Sequence, residues 1–179
     1  MRIALIGYGK MGKAVEQIAL ERGHTIVAIV DVNTSEKIDK KLKSIADIAI
    51  EFTAPASAEK NIIDCLTAGI SVVSGTTGWN FDKKALEELC IKNSAALLYA
   101  SNFSIGVNIF LKINEKLASI MSNFRDYSAK IEETHHIYKL DKPSGTAISL
   151  ANGIIKNNNK YVKWKLNPCN EKNNIEISS

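Results

Sequence analysis

The sequence predicts an α/β fold, with a parallel sheet between helices followed by a second region of α+β character. Three observations predict it. Short continuous apolar runs alternate with helical patterns from residue 3 to residue 99, and strands alternating with helices pair in parallel through right-handed crossovers. A glycine-rich turn joins the first such run to the first helical pattern. From about residue 104 the continuous runs give way to a long helical pattern and then to a strand that alternates with period two.

Ile3-Ala4-Leu5-Ile6 is a continuous apolar run, as a strand buried on both faces requires. Gly7-Tyr8-Gly9-Lys10-Met11-Gly12 follows at once and opens a helix whose apolar stripe is Met11, Val15, Ile18 and Ala19, with Gly23 as its stop. A second buried strand, Ile26 to Val30, ends at Asp31, 19 residues after Gly12. Glycines at this spacing permit a tight turn, close approach of a pyrophosphate and close packing of helix on strand. The helix N-terminus adds free amides and a positive dipole end. An acid ending the second strand can take the adenosine ribose hydroxyls. The pattern is weak alone, but strand, helix and acid together predict a Rossmann dinucleotide-binding domain.

The alternation continues. Residues 33–44 read as a polar loop with at most one helical turn. Asp47 to Phe52 is a strand; Pro55 opens a helix carrying Ala58, Ile62, Cys65 and Leu66 and stopped by Gly69. Ile70 to Ser74 is a strand, residues 82–93 a helix, and Ala95 to Tyr99 a strand. A domain boundary is placed between 103 and 104, giving a dinucleotide-binding domain over 1–103 and a second domain over 104–179. The second begins with a helix over 106–121 carrying Phe110, Ile113, Leu117 and Ile120. Tyr127 to Glu132 alternates as a half-exposed strand, and a polar loop over 135–144 leads to a helix over about 146–156. The tail after Asn157 is weakly patterned, with one further strand at most near Ile175 to Ile177. One or two strands are too few for a sheet, so the second domain reads as incomplete at its C-terminus. A protein of these residues alone is accordingly expected to be inactive or very weakly active.

Composition excludes several classes. The chain has 179 residues, 45% hydrophobic and 23% charged, as an ordinary globular protein has. A net charge of +4 is too small to argue for nucleic acid, and Lys37, Lys40, Lys41 and Lys43 read as a solvated face. No apolar run approaches the length of a membrane span and no signal sequence opens the chain, so the expected setting is the cytoplasm. Cys65, Cys90 and Cys169 form no CxxC pair. The first two fall on apolar stripes and read as small buried hydrophobes.

Two loops follow strand ends: Gly75-Thr76-Thr77-Gly78 and Ala100-Ser101-Asn102-Phe103. Ligands bind outside the carboxyl ends of parallel strands, so both loops join the glycine turn on one edge, although such residues are also ordinary turn formers. A third constellation runs from Glu133 through His135, His136, Lys139, Asp141 and Lys142 to Ser144, Gly145 and Thr146. It gathers cationic side chains at a helix start, which suits a small substrate bearing carboxylates. A His and a Lys there could protonate a reacting carbon. A zinc site fits poorly, because adjacent strand residues point to opposite faces and no matching cluster accompanies them. The plainer alternative makes Ser144 a helix N-cap and the charges a solvated loop.

With these motifs in order across residues 1–156, the sequence resembles the dihydrodipicolinate reductase family of lysine and diaminopimelate biosynthesis. The resemblance is carried by Gly7 to Gly12, Phe52-Thr53 with Pro55, Gly75 to Gly78, Ala100 to Asn108, and above all Glu133-Thr134-His135-His136 with Lys139, Asp141, Pro143, Ser144, Gly145 and Thr146. It implies an NAD(P)H-dependent reductase of a cyclic dicarboxylate, with His135 and Lys139 catalytic. His136, Gly145 and Thr146 would hold the substrate. Gly7, Tyr8, Gly9, Lys10, Met11, Gly12, Asp31, Gly75, Thr76, Thr77, Ala100, Ser101, Asn102 and Phe103 would bind NADH or NADPH. The family's homotetramer would need its usual C-terminal region. The glycine turn is one residue shorter than the family usually shows, and Ile137-Tyr138 stands where many members have Arg-His. A non-catalytic nucleotide-binding module is the alternative.

Overall fold

The computed structural model describes residues 1–135, 137 and 142–179. The chain divides into two compact units, Met1–Ser101 and Asn102–Ser179.

The first unit is a five-stranded, wholly parallel sheet in the order β2-β1-β3-β4-β5. Its strands are β1 (Arg2–Ile6), β2 (Thr25–Val30), β3 (Ile48–Glu51), β4 (Val72–Ser74) and β5 (Leu97–Tyr99). The helices between them are α1 (Lys10–Glu21), α2 (Lys40–Ile45), α3 (Pro55–Thr67) and α4 (Lys83–Asn93). The reason that β1 reads as one unbroken apolar run is visible in its packing. Ala4 and Ile6 join a core with Ala49, Ile62, Leu66 and Val72, while Ile3 and Leu5 pack with Ala19 and Val15 of α1. A strand covered on both faces has no polar side to show. All four residues expected on the inner stripe of α3, Ala58, Ile62, Cys65 and Leu66, are fully buried. Burial pushes the Cys65 thiol up to about 12, which leaves it inert; Cys90 is half-buried. On α1 the stripe is narrower than its pattern: Met11 and Ile18 stand exposed and only Val15 and Ala19 pack inward. Residues 40–45 form a short helix capped by Asp39, whose carboxyl group accepts from the Lys41 and Leu42 amides. The lysines of that region are exposed.

The second unit corrects the expectation that its strands are too few for a sheet. It holds α5 (Ile105–Met121), α6 (Gly145–Asn157) and a three-stranded parallel sheet in the order β6-β8-β7. Its strands are β6 (Lys130–Glu132), β7 (Lys163–Leu166) and β8 (Asn174–Ser178). The weakly patterned tail supplies two of the three. Ile175 and Ile177 of β8 are fully buried with Ile131, Ala147, Ala151 and Tyr161. The pair is enough because β8 is central and bonded on both edges, so two inward isoleucines fill a core that three elements share. The strand expected over Tyr127 to Glu132 shortens to its last three residues. Helix α5 lies against α6 through Asn114, whose Nδ2 donates to the Leu150 carbonyl at 3.0 Å. A Cβ on Gly153 would stand 3.1 Å from that nitrogen, close enough that the Asn114 side chain would have to shift by a few tenths of an ångström. Phe110, Ile113, Leu117 and Ile120 of α5 stand exposed, with only Ala118 of that helix buried. Among the described residues no helix is long and apolar enough to cross a membrane.

Candidate functional site

The sheet order reverses at β1: the chain crosses to β2 on one side and to β3 on the other. Ligands of such sheets sit in the crevice that this reversal opens at the carboxyl ends. A cleft of about 510 Å³ lies there, lined by Gly7, Tyr8 and Gly9 after β1, Asp31 after β2, and Phe52 and Thr53 after β3, among others.

The turn that opens the cleft is set by contacts. Gly7 has φ +92°, and a Cβ there would stand 2.1 Å from the Phe52 carbonyl oxygen; a Cβ on Gly12 would stand 2.3 Å from the Gly7 carbonyl oxygen. Both glycines are therefore required by the backbone itself. Gly9 caps α1 and has no side chain to cap it with. The four helices α2, α4, α5 and α6 each have an Asp or Ser accepting from first-turn amides. The amides at Lys10, Met11 and Gly12 are left for an anion, at the positive end of a helix of 12 residues. No Cβ-sized obstacle lies within 4 Å of Gly9. These are the features a dinucleotide's pyrophosphate needs, and the residues present fit one. Asp31 accepts from the Tyr8 amide at 2.7 Å through Oδ2, which ties the end of β2 to the turn. Its other oxygen takes no protein hydrogen bond among the described residues. Tyr8 lies beneath Lys13, whose Nζ is 5.7 Å from the ring centroid, and its hydroxyl donates to Glu16.

Beneath the cleft the structure places a residue that the sequence reading passed over. Glu51, the last residue of β3, is completely buried. Its Oε1 accepts from the Thr53 amide at 3.0 Å, from the Thr76 hydroxyl at 2.8 Å and from the Thr53 hydroxyl. Its Oε2 accepts from the Ser74 hydroxyl at 2.5 Å. One carboxyl group thus binds the carboxyl ends of β3 and β4 together. The only signal in the sequence was a charge at the end of an otherwise apolar strand.

The other expected cofactor residues are distributed unevenly. Thr76 is buried and its hydroxyl is committed to Glu51, whereas Thr77 is exposed. The loop is pinned by Trp79, whose Nε1 donates to the Thr76 carbonyl at 2.8 Å and whose ring meets Phe81 and Tyr99. Gly75 is held against Phe52: a Cβ would stand 2.1 Å from that ring. Gly75, Thr76 and Thr77 do not line the cleft, and neither do Ala100 and Ser101. Ala100 is bonded to the sheet edge through its amide and the Ser74 carbonyl. Asn102 and Phe103 belong to the second unit, where Asn102 accepts from the Ser104 amide at 2.8 Å just before α5.

In the second unit His135, Gly145 and Thr146 are described, whereas His136 and Lys139 lie outside the described residues. His135 Nε2 is 2.9 Å from Glu133 Oε2. Ser144 is the N-cap of α6, as the plainer reading of that residue had it, and accepts from the Ala147 amide at 3.1 Å. Ser144 in turn donates to Glu133, its amide to Oε1 at 2.7 Å and its hydroxyl to Oε2. Burial raises the Glu133 carboxyl, but the hydrogen bonds from Ser144 and His135 outweigh it and hold the group down at about 2. The cap leaves Gly145 and Thr146 exposed on the first turn, with open space around the Gly145 Cα. Their amides and the Thr146 hydroxyl can receive a carboxylate.

Comparison with known proteins identifies the family. The family model for the N-terminus of dihydrodipicolinate reductase matches residues 1–103, and that for its C-terminus matches residues 106–179. A 4-hydroxy-tetrahydrodipicolinate reductase of Christiangramia forsetii is 48% identical over 171 residues, covering 96% of this chain and 71% of that protein. One of Archaeoglobus fulgidus is 36% identical over 189 residues, covering 96% and 72%. Among solved structures, a dipicolinate-bound dihydrodipicolinate reductase from Paenisporosarcina sp. TG-14 shares the fold, with a TM-score of 0.68 over 99% of this chain and 78% of that one at 24% identity.

Proposed function

The chain belongs to the dihydrodipicolinate reductase family, an oxidoreductase family of lysine and diaminopimelate biosynthesis, and on that premise we propose how its own residues divide the reaction. The cleft at the carboxyl ends of β1–β3 takes the nicotinamide dinucleotide, with its pyrophosphate on the α1 amides and its ribose on Asp31. The reading is carried by the uncapped N-terminus of α1, whose first residue follows directly on Gly7, Tyr8 and Gly9 of a cleft that Asp31 borders. The reduced nicotinamide, when bound, supplies a hydride to the conjugated ring carbon of a cyclic dicarboxylate. Gly75, Thr76, Thr77, Ala100, Ser101, Asn102 and Phe103 are proposed to complete the nicotinamide end, Thr76 through the fixed backbone of its loop.

The second unit takes the substrate. The α6 amides, Thr146 and His136 are assigned to its carboxylates, and His135 and Lys139 to proton transfer. Hydride addition leaves an enamine-like anion on the ring, and a proton from Lys139 or His135 neutralises it. A positioned general acid contributes about 10²–10⁴-fold. Asp31 favours a free ribose diol and repels a 2′-phosphate, and no arginine follows it in Val32-Asn33, so NADH is proposed to serve at least as well as NADPH. The family tetramer, given the family's usual C-terminal region, and a cytoplasmic setting belong to the same proposal.

The test generates the substrate from pyruvate and aspartate semialdehyde and follows reduced-nicotinamide absorbance. Turnover that falls by about 10²-fold or more in Lys139→Ala, and substantially in His135→Ala, is expected. Nucleotide binding without turnover would assign the chain to a non-catalytic binding module instead.

A further inference from the structure

We propose that Glu133 is a positioning residue for the reaction, one carboxyl group that fixes both the His135 imidazole and the mouth of α6. The inference rests on the reading of His135 as a proton-transfer group. The carboxyl group is well placed for both tasks. Glu133 directly follows β6, and its amide donates to the Ser178 carbonyl at 2.9 Å, so its backbone is anchored to β8. Its side chain is 12% exposed against 37% for His135. A half-exposed imidazole is thus held by a largely enclosed partner.

The hydrogen bonds leave little freedom of direction. The Ala147 amide can only donate, so Ser144 Oγ accepts from it and must send its own proton to Glu133. The Ser144 amide also donates to Glu133. An ionised carboxyl group only accepts, so His135 Nε2, like the Ser144 and Ser179 donors, carries its proton toward Glu133. It follows that Nδ1 is the ring nitrogen left to exchange a proton with the substrate. The same carboxyl group orients the residue that caps α6, from which the Gly145 and Thr146 amides emerge. Proton donor and carboxylate grip are thereby held in one frame, which is what orientation in a two-point site requires.

Glu133→Gln keeps the shape and removes the rule. With its nitrogen in the Oε1 place it meets the Ser144 amide, donor against donor; in the Oε2 place it donates to His135 Nε2 and moves the ring proton to Nδ1. We expect kcat to fall about tenfold or more, the magnitude usual for losing an orienting partner, with substrate KM raised several-fold and the KM for NADH unchanged. The decisive comparison is the double variant. In a His135→Ala background, adding Glu133→Gln should produce no further loss of kcat while still raising substrate KM through Ser144. Should Glu133→Gln not fold, Glu133→Asp carries the same test, since it keeps the charge but shortens the reach by one methylene. A kcat loss equally large with and without His135, or a folded variant with both parameters unchanged, would overturn the proposal. A His135→Ala variant with undiminished kcat would instead overturn the reading on which it rests, and the two failures are distinguished by that single variant.

Discussion

Glu51 offers the sharpest test of how the cofactor end is built. Replacing it by alanine removes the acceptor from two buried hydroxyls, Ser74 and Thr76, which are 0% and 5% exposed. A buried donor left without a partner costs roughly 1–3 kcal/mol. The Thr53 amide keeps a second acceptor, the Thr76 hydroxyl oxygen at 2.8 Å, and contributes little to the loss. Two hydroxyls together with the void left by the side chain amount to about 3–5 kcal/mol, a large share of the ~5–15 kcal/mol that stabilises an ordinary domain. Glutamine is the informative control. With its oxygen in the Oε1 place, it still accepts from Thr53 and Thr76. Its nitrogen faces Ser74, whose hydroxyl can turn to accept. We expect a cost of about 1 kcal/mol. Urea denaturation followed by circular dichroism would read both variants, and NADH titration of Glu51→Gln would show whether the cleft keeps its shape. An alanine variant no less stable than the glutamine variant would refute the argument that these hydrogen bonds hold β3 and β4 together at the cofactor edge.

Three further outcomes are expected. Asp31→Ala should lower kcat/KM with NADH and erode discrimination against NADPH; a wild-type protein that clearly prefers NADPH would contradict the role given to Asp31. Thr146→Val should raise the substrate KM and leave the NADH dissociation constant unchanged, as isothermal titration would show; the reverse pattern would move the residue to the cofactor site. Glu133 has a folded-state value depressed from 4.5 to about 2, so its contribution to stability is complete above the ordinary carboxyl range and is lost as pH falls toward 2. Urea midpoints measured from about pH 6 to pH 3 should show a decline that Glu133→Gln reduces; parallel declines in both proteins would locate the acid sensitivity elsewhere.

Much of the first unit was legible because its signals are local. The run at Ile3 to Ile6, the glycines at 7 and 12 and the acid at 31 each stand in a short stretch of sequence whose pattern shows the constraint: burial on both faces, a backbone contact that excludes Cβ, a strand end beside a helix mouth. The same holds for Pro55 and the stripe from Ala58 to Leu66. The second sheet was less legible. Lys163-Trp164-Lys165-Leu166 shows no clean alternation, and Asn174 to Ser178 shows only two isoleucines.

The sequence by itself therefore determined the order of strands and helices in the first unit, the glycine turn and the acid at the end of β2. Tertiary structure alone decided that β8 would lie between β6 and β7, that Glu51 would be enclosed by hydroxyls arriving from β4 and its following loop, and that Glu133 would serve Ser144 and His135 together. The physical reason is the same in each case. A helix stripe or a glycine turn is written as a spacing of residues within one short segment, whereas a buried carboxyl group or a short polar strand shows no such spacing and is stable only with partners brought by folding, 23 and 25 residues away for Glu51 and 11 for Glu133.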